Sequence, residues 1–279
     1  SMREQARGAG VSAPTMVRLA QHLGFADYTA LRRPFQEAMT GARPRRAVAA
    51  QGRFGRRASA LQTAPAGACM GRLAQEIVAA QTEDVRSVVA LNSPERVEAA
   101  VNAIAAGRRV GFLGVRSSYA IAFYFRYGYN MIATNGVLFD GLGGFLLDQA
   151  EALERGDTLV AISQSPYSSP TVRATEAARA RGVTIVALTD SQLSPLARLA
   201  THSLFLRTES ISFFPSMIAP LALVELLLAA LATRGGRKVL RRLADVDARL
   251  LASRAYWHEP GRGRRPSQPR RRKPGGVLS

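Results

Sequence analysis

Cysteine is almost absent: Cys69 stands alone in 279 residues, so no intrachain disulfide framework is open to this chain. Histidine is scarce as well. His22, His202 and His258 are scattered, show no spacing suited to a metal, and lead us to expect neither metal nor cofactor. Lysine is nearly missing, with only Lys238 and Lys273 among 38 basic residues. Long apolar runs are also lacking. The longest, Ile218 to Thr233, is broken by Glu225 and is too short and Ala-rich to read as a membrane span, so no membrane partner is expected. The polar, Arg-bearing start has no apolar segment of the kind a secretory signal needs, and the expected location is cytoplasmic.

What is present is enough to build a core, since 47% of the residues are hydrophobic. The formal net charge is +18, and its distribution matters more than its size. Residues 41–60 carry six Arg and no acid, and residues 261–279 carry seven bases and no acid. These two short segments therefore hold +13 of the +18, which points to a polyanionic partner such as nucleic acid.

The pattern predicts four regions. Residues 1–40 read as a small all-α unit with helices over Arg3–Ala9, Ala13–Leu23 and Asp27–Met39. Ser12 is placed as N-cap, Pro14 lies in the first turn, and Asp27 or Thr29 caps the third helix. Residues 41–68 lack sustained periodicity and read as a basic flexible linker. Residues 69–257 read as an α/β domain, and residues 258–279 as a disordered basic tail. In the α/β region amphipathic helices over Cys69–Leu91 and Pro94–Ala106 precede an alternation of strands and helices, the sign of parallel βαβ units. Strands are expected at Arg109–Val115, Asn130–Thr134, Thr158–Ser163, Thr184–Thr189 and His202–Arg207. Intervening helices are expected at Ser118–Tyr127, Gly143–Leu153, Pro170–Arg181 and Pro195–Leu199, with closing helices at Phe214–Thr233 and Gly236–Arg254. The fold class is thus α/β: a five-stranded parallel sheet flanked by helices, with a small helical unit ahead of it.

Two strand-to-helix turns are rich in hydroxyls: Gly114-Val115-Arg116-Ser117-Ser118 and Ser163-Gln164-Ser165-Pro166-Tyr167-Ser168-Ser169. Helix N-termini present unpaired N–H groups and a positive dipole end, which suits such turns to phosphate. Ligands of open α/β sheets sit at the carboxyl ends of strands, so one phosphate or phosphosugar pocket could use both turns. Helix capping by the same serines is the alternative.

The stretch from about Arg96 to Leu251 resembles the sugar isomerase (SIS) domain. Ile162-Ser163-Gln164-Ser165 matches its Ser-x-Ser turn, and Thr189 to Ala197 matches the segment after its fourth strand. Ala9-Gly10-Val11-Ser12-Ala13-Pro14-Thr15-Met16-Val17-Arg18-Leu19-Ala20-Gln21-His22-Leu23-Gly24-Phe25 resembles the helix-turn-helix of the RpiR/MurR transcription-regulator family. The resemblance implies a DNA-binding regulator that senses a phosphorylated sugar, with DNA and the sugar as partners and a homodimer or homotetramer as the assembly. It places the phosphosugar near Arg116, Ser117, Ser118, Ser163, Ser165, Ser168, Ser169 and Glu209. It places DNA near Ser12, Ala13, Thr15, Arg18 and His22, with Met16, Val17, Leu19 and Ala20 packing inward. The sequence departs from the family pattern at Arg116, where the first loop commonly has Gly, and at Pro166 and Ser168, where the second has Gly and Thr. Pro166 removes an N–H, and Arg116 could restore a charged donor. The family's first helix would precede Met2, so either the helix-turn-helix is truncated here or that helix is not needed.

An isomerase of this fold would need a base at the substrate carbon. Glu209, His202 and Glu225 are the available groups, with Glu209 best located after the last strand, but none is singled out and no catalytic residue is assigned. The alternative of a phosphosugar isomerase stays open beside the regulator.

Overall fold

The computed structural model describes residues 2–22, 25, 27–32, 53–62 and 69–257. Five parallel strands, β1 Val110–Leu113, β2 Gly136–Phe139, β3 Thr158–Ile162, β4 Thr184–Thr189 and β5 His202–Phe205, lie in the order β2-β1-β3-β4-β5. The chain steps outward from β1 to β2 and then crosses back to β3, so the order reverses between β1 and β3. That junction is where ligands of such sheets collect. Strands β1 and β3 are buried along their whole length, as parallel strands covered on both faces must be.

The helices divide between the two faces. On one face α5 (Pro94–Ala106), α6 (Ser117–Ile132) and α10 (Ile218–Ala252) enclose Phe112, Phe125, Ile104, Leu188, Leu223 and Leu227. On the other, α7 (Leu146–Glu151), α8 (Ser169–Ala180) and α9 (Pro195–Leu199) cover Leu113, Phe139, Leu159, Ile185 and Leu196. Ser93 caps α5 by accepting from the Arg96 N–H at 3.4 Å, with Pro94 in the first turn.

The open edge of β5 is closed by a side chain. Asn92, at the end of α4 (Cys69–Leu91), accepts from the Phe205 N–H through Oδ1 at 2.7 Å and donates to the Phe205 carbonyl through Nδ2 at 2.7 Å. A buried amide thus supplies both backbone partners a further strand would have given. Arg96 lies 5.1 Å above the Phe205 ring on the same edge.

At the opposite, N-terminal end of the sheet, buried Asp157 receives Arg108 at 3.1 Å and Arg109 at 2.8 Å. Burial pushes the Asp157 carboxyl up, and Arg109, the Glu154 N–H and Arg108 more than offset it, holding the group at about 2.

Several expected boundaries shift. Asn130–Thr134 is not a strand. Residues 130–132 end α6, whose inward row Ile121, Phe125, Tyr129 runs into Ile132, and Arg242 Nη2 caps that end by donating to the Asn130 and Ala133 carbonyls at 2.7 and 2.8 Å. The expected helix from Phe214 starts only at Ile218, and the two closing helices meet, as expected, at Gly236, whose φ of 53° and ψ of −143° are non-helical; they follow one another without a loop and together are α10. By length and composition α10 could cross a membrane, but its apolar residues Ala219, Leu223, Val224, Leu227 and Leu231 are core.

At the start of the chain α1 (Met2–Gly8) and α2 (Ala13–His22) pack together, and residues 28–32 are helical, with the Ala30 N–H on Asp27 Oδ1 at 2.7 Å; the rest of the helix expected to Met39 lies outside the described residues. Part of the expected linker is ordered: α3 (Arg53–Gln62) is a helix, its apolar Phe54, Ala58 and Leu61 spaced i, i+4, i+7 and masked in the sequence by the arginines between them. Phe54 stacks on Phe214, with ring centroids 6.3 Å apart. The rest of 41–68 and the tail 258–279 lie outside the described residues.

Candidate functional site

Strand β1 ends at Leu113 and the chain turns through Gly114, Val115 and Arg116 into α6. Gly114 is required by a close approach, because a Cβ there would stand 2.5 Å from the Ser118 carbonyl oxygen. Arg116 has φ 57° and ψ −129°, a conformation suited to glycine, so the arginine occupies the strained position directly. Its side chain is exposed and makes no hydrogen bond or ion pair among the described residues. In the first turn of α6 the Tyr119 N–H donates to the Arg116 carbonyl at 3.1 Å; the N-terminus at Ser117 and Ser118, with the guanidinium on the adjacent residue, suits an anion.

Strand β3 delivers the second turn. Ser163 is buried, and its Oγ accepts from the Ser168 N–H at 3.3 Å, which closes the loop. Ser168 caps α8 without a side-chain cap bond, and its Oγ is buried with no partner among the described residues. The Ser165–Pro166 bond is cis, and the Ser165 N–H donates to Asp190 Oδ2 at 3.2 Å. Ser169 and Pro170 open α8, where the proline removes a donor, so α6 offers the better anion end.

The two turns meet. Ser118 Oγ donates to Gln164 Oε1 at 3.2 Å, and both residues are buried. The structure thus brings Arg116, Ser117, Ser118, Ser163, Ser165, Ser168 and Ser169 to one corner of the sheet.

Glu209 lies beside that corner rather than in it. With Gln81, Ile77, Ile211, Phe214, Ser216 and Met217 it lines a cleft of about 260 Å³ between α4 and the segment after β5. The two places adjoin through Gln164, whose Nε2 is 3.6 Å from Met217 Sδ. Glu209 accepts from Arg207 at 2.9 Å, and Arg207 Nε stands 3.3 Å from Asp84 on α4. Asp84 is 1% exposed, and burial raises its carboxyl pKa above the usual value, against the pull of Ser216 and Arg207. Sequence reasoning passed over Gln164, Asp190, Arg207 and Asp84. Gln164, the polar residue between two turn serines, and Asp190, inside the stretch that resembles the segment after the fourth SIS strand, carried a signal; Arg207 and Asp84 carried none.

His202 lies at the start of β5, the end of the sheet away from this corner, and Glu225 accepts from the exposed Tyr124 hydroxyl at 3.2 Å. Among the described residues no group of His, Cys, Asp and Glu could hold a metal ion.

On α2, Ser12 Oγ caps the helix from the Thr15 N–H at 3.4 Å and lies 2.8 Å from the Thr15 hydroxyl. Ser12, Arg18 and His22 are exposed, Ala13 and Thr15 half-buried, and Ala20 fully buried. Leu19, expected to pack inward, is instead 46% exposed; it neighbours Arg18 on the outward side of the short helix.

The SIS domain family matches residues 103–230. An uncharacterised HTH-type transcriptional regulator of Caldanaerobacter subterraneus is 27% identical over 177 residues, 62% of each chain, so the match spans under two thirds of that relative. The Vibrio vulnificus NanR protein, solved in complex with ManNAc-6P, is 19% identical, with a TM-score of 0.61, over 92% of this chain and 87% of its own. The sugar isomerase domain of an RpiR transcription factor from Sphaerobacter thermophilus is 32% identical, with a TM-score of 0.61, over 63% of this chain and 99% of its own. With that identity over a whole SIS domain, this chain belongs to the RpiR family of transcription regulators.

Proposed function

We propose that this protein is a DNA-binding transcription regulator whose SIS domain senses a phosphorylated sugar. The observation that carries the reading is the Ser118–Gln164 hydrogen bond, which joins the β1 and β3 turns where the strand order reverses. The phosphoryl group sits at the N-terminus of α6, held by backbone N–H groups, Ser117, Ser118 and Arg116, with Ser163, Ser165, Ser168 and Ser169 closing the other side. The sugar reaches toward the cleft, where Glu209 accepts from its hydroxyls. NanR, with its phosphorylated sugar, supports this at the level of the fold.

DNA is read by α2, through Ser12, Ala13, Thr15, Arg18 and His22, in a twofold assembly that matches paired half-sites. Coupling requires a ligand that prefers one arrangement over another. Helix α3 lies in sequence between α2 and the SIS domain, and its Phe54 stacks on Phe214, a wall of the cleft, so a sugar there has a contact through which to act. Glu209 is ion-paired with Arg207, an arrangement that serves binding better than proton abstraction. Gel-shift titrations of operator DNA with a panel of phosphosugars test the reading. A shift in DNA affinity by one of them supports it, and turnover of a phosphosugar that Glu209→Gln abolishes would favour an isomerase instead.

A further inference from the structure

Beyond its Gly235-Gly236 kink helix α10 stays attached to the domain and opens with a basic stretch, which Asp245 and Asp247 end. From 226 to 244 the chain has five basic residues and no acid. One of the five, Arg242, is spent on the α6 carbonyls. The other four, Arg234, Arg237, Lys238 and Arg241, are all exposed, and none forms a hydrogen bond or ion pair among the described residues. Beyond the kink Arg237 and Arg241 are i, i+4 neighbours and Lys238 and Arg241 i, i+3 neighbours, so three cations crowd one side of the helix. Buried Val239 and the capping Arg242 hold the other side to the domain. Like charges at these spacings repel, a cost that a polyanion relieves. The sequence of the tail adds seven bases and no acid over 261–279, continuing the same sign.

We propose that this face of α10 is a second DNA-contact surface, one that binds backbone phosphates without reading sequence; the inference rests on the DNA-binding reading above. Duplex DNA fits the observations better than a lipid surface. An interfacial helix needs an apolar face free to enter the bilayer, and here Leu223, Val224, Leu227, Leu231 and Val239 are buried. Leu240 is the single large apolar residue exposed between Arg234 and Arg241.

The test uses the full chain, a labelled duplex of mixed sequence, and anisotropy titrations between about 50 and 200 mM salt. The variant R234A/R237A/K238A/R241A is expected to make the slope of log affinity against log salt shallower by about two to four units. Its affinity near 0.1 M salt should fall at least about tenfold, at an unchanged melting temperature. Should that variant melt early, R237Q/K238Q is expected to lose about one to two units of slope on its own. A slope equal to the wild type's in both variants overturns the proposal. So does a face that binds phosphatidylglycerol vesicles through these residues while duplex affinity stays the same. Failure of the regulator reading looks different: the wild type would protect no specific sequence, yet the variants would still lose salt dependence.

Discussion

Ser118 and Gln164, 46 residues apart in sequence, hydrogen-bond at 3.2 Å across the junction of β1 and β3, and both are buried. Each turn is thereby positioned by the other. Ser118→Ala leaves Gln164 Oε1 buried without its partner, at a cost of about 1–3 kcal/mol in denaturant unfolding. The same change should weaken phosphosugar binding at least about tenfold by calorimetry. An unaltered affinity would move the anion away from this corner.

Gly114→Ala tests the backbone of the same turn. Its Cβ would meet the Ser118 carbonyl oxygen at 2.5 Å, which only a backbone shift can relieve. Thermal stabilisation by phosphosugars should vanish in this variant, while the untreated protein melts a few degrees lower.

Asn92→Ala strips Phe205 of its edge partner, while Arg96 still donates to the Ser203 carbonyl at 3.3 Å. The Phe205 N–H and carbonyl each lose a bond of 2.7 Å, and the expected loss is about 2–4 kcal/mol in urea unfolding. A loss below about half a kcal/mol would mean that water replaces the amide.

Acid stability depends on Asp157. Its folded pKa of about 2 lies below the unfolded 3.8, so the stability it contributes is present above the unfolded value and is lost as pH falls through the folded one. The window is thus about pH 4 to 2, and the contribution is on the order of 2 kcal/mol. Asp157→Asn should be less stable at neutral pH by at least that much and should flatten this limb of the pH–stability curve.

Much of this was legible in the sequence. β4, α4, α5 and α9 fall on the residues expected, because Ser93-Pro94 and Ser194-Pro195 mark helix starts and the Thr184–Thr189 run is short and β-rich. The serine turns were readable for the same reason, since hydroxyls before helices follow strand-length apolar runs. What was not legible depends on distant partners. Asn130–Thr134 has strand composition, yet Arg242, more than a hundred residues later, ties its carbonyls into a helix end. Glu209 was readable as a polar residue after β5, but its pairing with Arg207 and the buried Asp84 depends on where α4 packs. Helix α3 was hidden because arginines surround its three apolar positions.

The central claim is tested most directly by measuring DNA affinity with and without phosphosugars, on a sequence the wild-type protein protects from nuclease. One phosphosugar should change the dissociation constant by about 5- to 150-fold, its unphosphorylated form should not, and Ser118→Ala should remove the response. No response to any phosphosugar, or an equal response to the unphosphorylated sugar, would contradict the account.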